Sequence, residues 1–392
     1  MRDRLTPGLL AALGFVAAVG PFATDLYLPS FTDISRDLGA AAPNVQLTLT
    51  AFLLGLGVGQ LFLGPASDRW GRRPVLVLAL GVFAAASVVL VFSPHVAVFI
   101  ALRAVQGFSG AAGVVIGRAI AVDLSHGATA VRALSLIAMV GALGPLVAPP
   151  IGGVVSAGFG WRGVLAVLAL IATAMFLLAL LVVPESLPPE SRRSGGVAIV
   201  FHSFRSWLGD RIFVAYVVAY ASGFAAMMAY ISASPFVGQT VLGMGPIAYS
   251  LCFAAGAVSL VTANLVNARV APRVGPRRLL AIGAATSAGA ASLLAILTFA
   301  GGLVPATFVV CAFLLTGGTG LILANASALG LARAVSGRGA GAALFGATQF
   351  FAGGLASPLV GLAGEHSAVP MAVVCVAFSA LALTATIVAR RE

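Results

Sequence analysis

The chain has 392 residues, 60% of them apolar and only 8% charged, against roughly 45–50% apolar and about 25% charged in a soluble domain. With a mean hydropathy of +1.09, it has too little charge to cover a water-facing surface, and lipid must be the solvent for most of it. A net charge of +11 and a pI near 11.1 could suit a nucleic-acid binder, but every basic residue is Arg, and the arginines sit in short clusters between apolar runs rather than along one basic face.

Gly, Pro and charge clusters divide the chain into runs of about 20 residues, the length a spanning helix needs. Lipid offers the backbone no hydrogen-bond partners, so each run must be helical. The runs fall near 8–30, 44–64, 75–93, 96–117, 133–156 and 162–183, then near 211–234, 247–268, 279–301, 305–327, 341–363 and 369–389. The sequence therefore predicts an all-α polytopic membrane protein with twelve transmembrane helices. The first run is long enough to span, no convincing A-x-A cleavage site follows it, and more such runs lie behind it, which favours a first helix over a signal peptide. Cys252, Cys311 and Cys375 all fall inside apolar runs, without metal or disulfide spacing.

The longest polar stretch, 184–210, separates residues 1–183 from 211–392, six runs from six. The halves echo each other: Arg69-Trp70-Gly71-Arg72-Arg73 follows the second run, and Arg273-Val274-Gly275-Pro276-Arg277-Arg278 follows the eighth. Two six-helix repeats are a recurrent plan of secondary transporters. If the N-terminus is cytoplasmic, all arginines but Arg36, Arg103 and Arg162 fall in cytoplasmic segments. That asymmetry obeys the positive-inside rule and puts both termini inside.

In chain order, the first informative element is Thr24-Asp25-Leu26-Tyr27-Leu28-Pro29. Asp25 is the one acidic residue inside an expected span, about 25 Å along it at ~1.5 Å per residue. It either faces the interior or simply ends the helix at the outer surface. Next, residues 64–74 read GPASDRWGRRP. Positive-inside placement accounts for its arginines but not for the ordered Gly, Pro and Asp. Arg103 then lies about 10 Å from the start of the fourth span, where a lipid-facing guanidinium costs roughly 2.5–3.5 kcal/mol. It must either snorkel outward or face the interior, where its depth allows pairing with Asp25, direct or bridged. The fifth span holds Gly144, Pro145, Pro149, Pro150, Gly152 and Gly153, which must bend and thin it.

These segments resemble the major facilitator superfamily. Gly64, Asp68, Arg69, Gly71, Arg72 and Arg73 match its G-x-x-x-D-R-x-G-R-R signature, a loop that in the family helps lock the two halves together in one transport state. The resemblance places these residues, with Arg118 at the inner end of the fourth span, in a gate. Arg103, Gln106, Gly107, Gly117 and Arg118 look like the fourth-helix motif of drug exporters, in which the Arg is tied to proton coupling. Gly144, Pro145, Pro149, Gly152 and Gly153 resemble the exporter motif G-P-x-x-x-P-x-x-G-G, with Ala148 where many members have Gly. The T-D-x-Y-L-P string, Gln46-Leu47-Thr48-Leu49-Thr50, Gly59-Gln60 and Ile231-Ser232-Ala233-Ser234-Pro235-Phe236 look like the bicyclomycin/chloramphenicol-resistance branch of the drug:proton antiporters. The resemblance covers the whole chain and is dense up to about residue 165. One departure is that some related exporters carry a second acid deeper in the first helix, where this chain has Ala17-Ala18-Val19-Gly20.

The expectation is a secondary transporter, not an enzyme, of the bacterial plasma membrane. It would export lipophilic small molecules in exchange for protons, as a monomer, with the proton gradient as its energy source and no cofactor. Asp25 and Arg103 would carry proton coupling. Tyr27, Tyr220, Met227, Tyr230, Phe236, Gln349 and Phe350 are candidate substrate contacts, because rings and methionine repack around varied shapes; ordinary helix packing is the alternative for each. A proton-coupled importer of a sugar or organic acid shares the fold and the gate loop, but an importer of anions should carry more basic residues in its spans. No H-E-x-x-H or G-x-S-x-G appears, and His95, His126, His202 and His366 are scattered among loops, so neither a metal site nor an intramembrane enzyme is expected.

Overall fold

The computed structural model describes residues 5–125, 127–192, 209–333, 338–361, 364 and 366–390. Residues 193–208 of the expected linker, His126, His202, Arg2, Arg4, Arg193, Arg205 and Arg391 lie outside them. Among the described residues the regular structure is entirely helical. The helices are α1 (Pro7–Ala17), α2 (Val19–Asp25), α3 (Phe31–Asp37), α4 (Ala42–Trp70), α5 (Arg72–Val91), α6 (Val96–Asp123), α7 (Gly127–Leu181), α8 (Arg211–Phe236), α9 (Pro246–Val274), α10 (Pro276–Phe299), α11 (Pro305–Arg333), α12 (Arg338–Leu359) and α13 (Val369–Val388).

Among the described residues, ten helical stretches are long and apolar enough to cross a membrane. One of them breaks at Gly160, whose φ of 66° and ψ of −175° lie outside helical space, and this break yields the expected fifth and sixth spans. Helix α12 covers the expected eleventh. Large apolar side chains such as Leu78, Phe92 and Leu170 are more than two-thirds exposed, as a lipid-facing surface requires.

The first span differs from expectation: it is not one helix over 8–30. It runs as α1, a kink at Ala18 (ψ 8°), α2, a 3₁₀ turn Leu28–Ser30 and α3. Prolines explain both breaks. Pro21 lacks the N–H that would bond the Ala17 carbonyl, and Pro29 lacks the one for Asp25.

The repeated loops have the same backbone form. Gly71 (φ 101°, ψ 152°) opens α5 and Gly275 (φ 87°, ψ 143°) opens α10, a left-handed conformation that glycine adopts without Cβ penalty. The internal repeat is therefore conformational as well as compositional.

The chain divides into two compact units, Met1–Tyr27 with Ala51–Ile199, and Leu28–Thr50 with Val200–Glu392. In the first, α5 packs on α6 and α7, while α1 and α2 lie against α6 and α7. A Cβ at Gly55 or Gly59 of α4 would strike the α6 backbone, and one at Gly107 of α6 would strike the Phe52 carbonyl. These small residues let the two helices approach closely. In the second unit α8 packs on α11, α12 and α13, around a core that includes Phe213, Tyr216, Ile322 and Phe345.

The segment Leu28–Thr50 is tied into the second unit by buried polar contacts. The Gln46 amide donates to the Ser232 carbonyl at 3.3 Å, and Ser357 Oγ donates to the Gln46 carbonyl at 3.3 Å. The Ser232 and Ser357 hydroxyls lie 2.6 Å apart. Gln239 donates to the Pro29 carbonyl at 2.9 Å and accepts from Thr32 at 3.2 Å. A double-mutant cycle of Ser232→Ala and Ser357→Ala, read from unfolding of the purified protein, should return a coupling of about 0.6 kcal/mol, the usual scale for hydrogen bonds between membrane helices.

Asp210 caps α8, accepting from the Ile212 and Phe213 amides at 3.0 and 3.2 Å. Arg333, at the end of α11, donates to it at 2.8 Å. The Arg333 hydrogen bond holds the Asp210 carboxyl below its ordinary 3.8. A carboxyl with a depressed folded value contributes stability that is fully present above its unfolded value and is lost as pH falls through the folded one. Acid titration of unfolding below pH ~4 should therefore show a steeper stability loss in the parent than in Arg333→Met.

Candidate transport site

Helix α2 ends at Asp25, and the chain is already out of helical register when it reaches Pro29. The break leaves main-chain carbonyls exposed in an apolar interior, where each needs a donor. Arg103 of α6 supplies one: its Nη2 donates to the Ala23 carbonyl at 2.8 Å. Its Nη1 donates to Gln106 Oε1 at 2.9 Å, and Gln106 Nε2 donates to Ser87 Oγ at 2.7 Å. The guanidinium lies 4.5 Å from the Tyr27 ring centre and 4.4 Å from that of Phe52. Arg103 is fully buried, so it does not snorkel. A cation at a helix C-terminus and against aromatic faces is placed where dipole and quadrupole both favour it.

Asp25 is buried beside this group, 5% exposed. The direct Arg103–Asp25 pair that their depths allowed does not form. Arg103 spends its described bonds on Ala23 and Gln106, and the Asp25 carboxyl accepts from Thr24 Oγ1 at 2.8 Å. The reason lies in the main chain: the broken helix presents a carbonyl to the guanidinium, a demand that side-chain spacing did not reveal. Tyr27 stacks on Phe99 at 6.2 Å, and Phe99 leans on Trp161.

The exporter-like motif of α7 lies against this break. A Cβ at Gly144 would meet Pro21, and one at Gly152 would strike the Leu26 carbonyl. Gly144 and Gly152 are about two turns apart on one face, so α7 is notched where α2 carries its proline and where its chain turns. Gly153 and Pro149 are buried and Pro145 half-buried on the same helix.

The loop between α4 and α5 forms a second charged cluster, at the opposite end of α4 and α6 from the break. Arg72 donates to Asp68, to Ser67 at 2.8 Å and to Asp123 Oδ2 at 3.0 Å. Ser186 also donates to Asp123, at 2.9 Å. Glu185 accepts from the backbone amides of Arg72 at 2.9 Å and Arg73 at 3.3 Å, capping the first turn of α5 from across the fold. Helix α5 needs this, because glycine at its N-cap offers no side-chain acceptor. Arg73 donates to the Leu180 carbonyl at 2.8 Å. Arg69 is exposed over Trp70, Gly64 packs near Val115, and Arg118 is exposed on α6. The loop signature points to Asp68 and the arginines but gives no sign of Asp123, which lies beyond the expected fourth span, or of Glu185, which lies in the expected linker. The available signal was Pro184-Glu185-Ser186 placed directly after the sixth span.

The candidate substrate residues other than Tyr27 are spread along α8 and α12. Tyr220 meets Phe345 edge-on at 5.0 Å, Phe224 meets Phe350 at 5.6 Å, and Phe236 lies 6.0 Å from Phe31. Tyr230 is packed between Phe253 and Phe308 inside the second unit. Met227 is buried and Gln349 half-buried.

If α7 is notched for α2, filling the notch must disturb both. Gly152→Ala should lower stability by about 1–3 kcal/mol, the usual cost of overpacking, seen as a fall in Tm of the purified protein. Gly141→Ala, on the same helix with open space around it, should stay within about 0.5 kcal/mol.

Residues 13–360 match the family model described as Major Facilitator Superfamily. A bicyclomycin resistance protein homolog of Haemophilus influenzae is 32% identical over 95% of this chain and 94% of its own length. An MFS-type transporter of Bacillus subtilis, YdgK, is 34% identical over 94% and 92%, and a chloramphenicol resistance protein of Pseudomonas aeruginosa is 31% identical over 74% and 67%. Among solved structures, a D-xylose-proton symporter superposes with a TM-score of 0.78 at 16% identity, covering 98% of this chain and 97% of that one; at that identity the likeness concerns the fold alone. Sequence, fold and relatives agree, and the chain belongs to the major facilitator superfamily, in the branch of the bicyclomycin- and chloramphenicol-resistance transporters.

Proposed function

We propose that the protein exports lipophilic small molecules from the bacterial cytoplasm across the plasma membrane in exchange for protons, with both termini cytoplasmic. The observation that carries this reading is the buried Asp25 carboxyl at the break of the first helix, next to the fully buried Arg103 and the notched face of α7. Discontinuous helices are the usual place for substrate and coupling-ion sites in secondary transporters, and an intramembrane ionisable group is expensive unless it is used. In this mechanism Asp25 takes a proton from outside and releases it inside. Arg103 holds the broken helix through Ala23 and keeps positive charge beside the carboxyl. Arrival of a substrate that displaces water or alters the contacts of Asp25 shifts its protonation. Competition between substrate and proton for one site then yields antiport. Arg72, Asp68, Asp123 and Glu185 belong to the cytoplasmic gate. The resistance proteins among the relatives support a drug-like substrate; the protein works as a monomer, needs no cofactor, and draws its energy from the proton gradient.

Inverted membrane vesicles with an imposed pH gradient test this. Addition of bicyclomycin, chloramphenicol or a lipophilic cation should dissipate the gradient in the parent, and Asp25→Asn should reduce the rate by a factor of 10² or more, as expected for loss of a group that carries the proton. Undiminished proton release in Asp25→Asn would remove Asp25 from coupling. Substrate-driven alkalinisation in right-side-out vesicles instead would favour a symporter.

A further inference from the structure

The Thr24 hydroxyl owns one hydrogen and faces three acceptors, of which the Pro21 carbonyl, at 3.5 Å, is the most distant. Its Oγ1 lies 3.0 Å from the Gly20 carbonyl, one turn back, and 2.8 Å from Asp25 Oδ1. Bonding to the i−4 carbonyl is the ordinary resting place of a threonine inside a helix. A separation of 2.8 Å between two oxygens is a hydrogen-bond distance, so the Thr24–Asp25 contact must also hold a proton. When Asp25 is a carboxylate it has none to give, and Thr24 must turn its hydrogen away from Gly20 to supply it. When Asp25 is protonated, its own O–H fills the contact, and Thr24 donates to Gly20 instead.

We propose that Thr24 is a positioning residue whose hydroxyl reverses direction with the protonation of Asp25, making or releasing the bond to Gly20 at the joint between α1 and α2. The location gives the reversal mechanical leverage. Bonds of threonine to the i−4 carbonyl bend helices. Gly20 and Pro21 directly follow the kink at Ala18, where Pro21 already leaves the Ala17 carbonyl without a helical donor. Few other groups compete for this role. Helix α6 contributes Arg103, which is bonded to Ala23 and Gln106, and Tyr27 covers the guanidinium. Helix α1, residues 133–161 of α7 and residues 51–66 of α4 carry no charged or titratable side chain. The inference rests on one element of the proposed function, that Asp25 changes protonation state, and not on its part in coupling.

Infrared difference spectra of the purified protein in lipid, taken across a pH titration, test it without a transported substrate. The protonated-carboxyl stretch that vanishes in Asp25→Asn is the probe. Thr24→Val keeps the shape and removes the hydroxyl; it should displace this band and move its titration midpoint by about one pH unit. Thr24→Ser should restore both, and Thr24→Ala offers the same comparison if the Val variant fails to insert. A band and midpoint unchanged without the hydroxyl would overturn the inference. Absence of any titrating band that Asp25→Asn removes would overturn both it and the proton-carrier reading. A Thr24-dependent band together with full substrate-evoked proton release in Asp25→Asn vesicles would leave the inference standing and remove the antiport role of Asp25.

Discussion

A guanidinium buried in a bilayer-spanning bundle needs partners, and in this protein a broken helix supplies one of them, while Arg103 Nε has no hydrogen-bond partner among the described residues. Arg103 bonds the Ala23 carbonyl and leans on Tyr27 and Phe52, while the helix breaks off after Asp25 ahead of Pro29, which cannot donate. Neither feature is stable alone. An unpaired Arg at this depth is costly, and so is a frayed helix end without donors. Together they make a small polar island that also brings Asp25 into the interior.

The surrounding helices are shaped to admit that island. Helix α7 gives up side chains at Gly144 and Gly152 where α2 and its exit lie, and α4 and α6 approach through Gly55, Gly59 and Gly107. Close approach keeps Phe52 against the guanidinium and holds Arg103 away from lipid. The glycines thus serve the polar site as much as packing, because membrane helices gain little from hydrophobic association and depend on contact and hydrogen bonding.

The far end of the same helices is organised by a different demand. A glycine opens α5, so the first turn lacks a side-chain cap, and Glu185 supplies one from the segment after α7. Arg72 gathers Asp68 and Asp123 around itself. This arrangement ties the ends of α4, α5, α6 and α7 into one charged knot. The second half repeats the glycine at Gly275 and uses Asp210 with Arg333 to join the start of α8 to the end of α11.

Much of this was legible in the sequence, for physical reasons. Scarcity of charge dictated a lipid solvent, run length dictated the spans, and the alternation of arginines kept their count in register. The loop signature and the Gly/Pro-rich fifth span stood out by their ordered residues, and Asp25 and Arg103 because charge within a span is expensive. Only the tertiary structure decided what those residues touch. One partner of Arg103 is a main-chain carbonyl 80 residues away, and the cap of α5 comes from a residue 113 positions away. Backbone carbonyls and amides are identical in every residue and leave no trace in composition. A helix break, an orphan carbonyl and a cap supplied from another element exist only once distant segments are packed together.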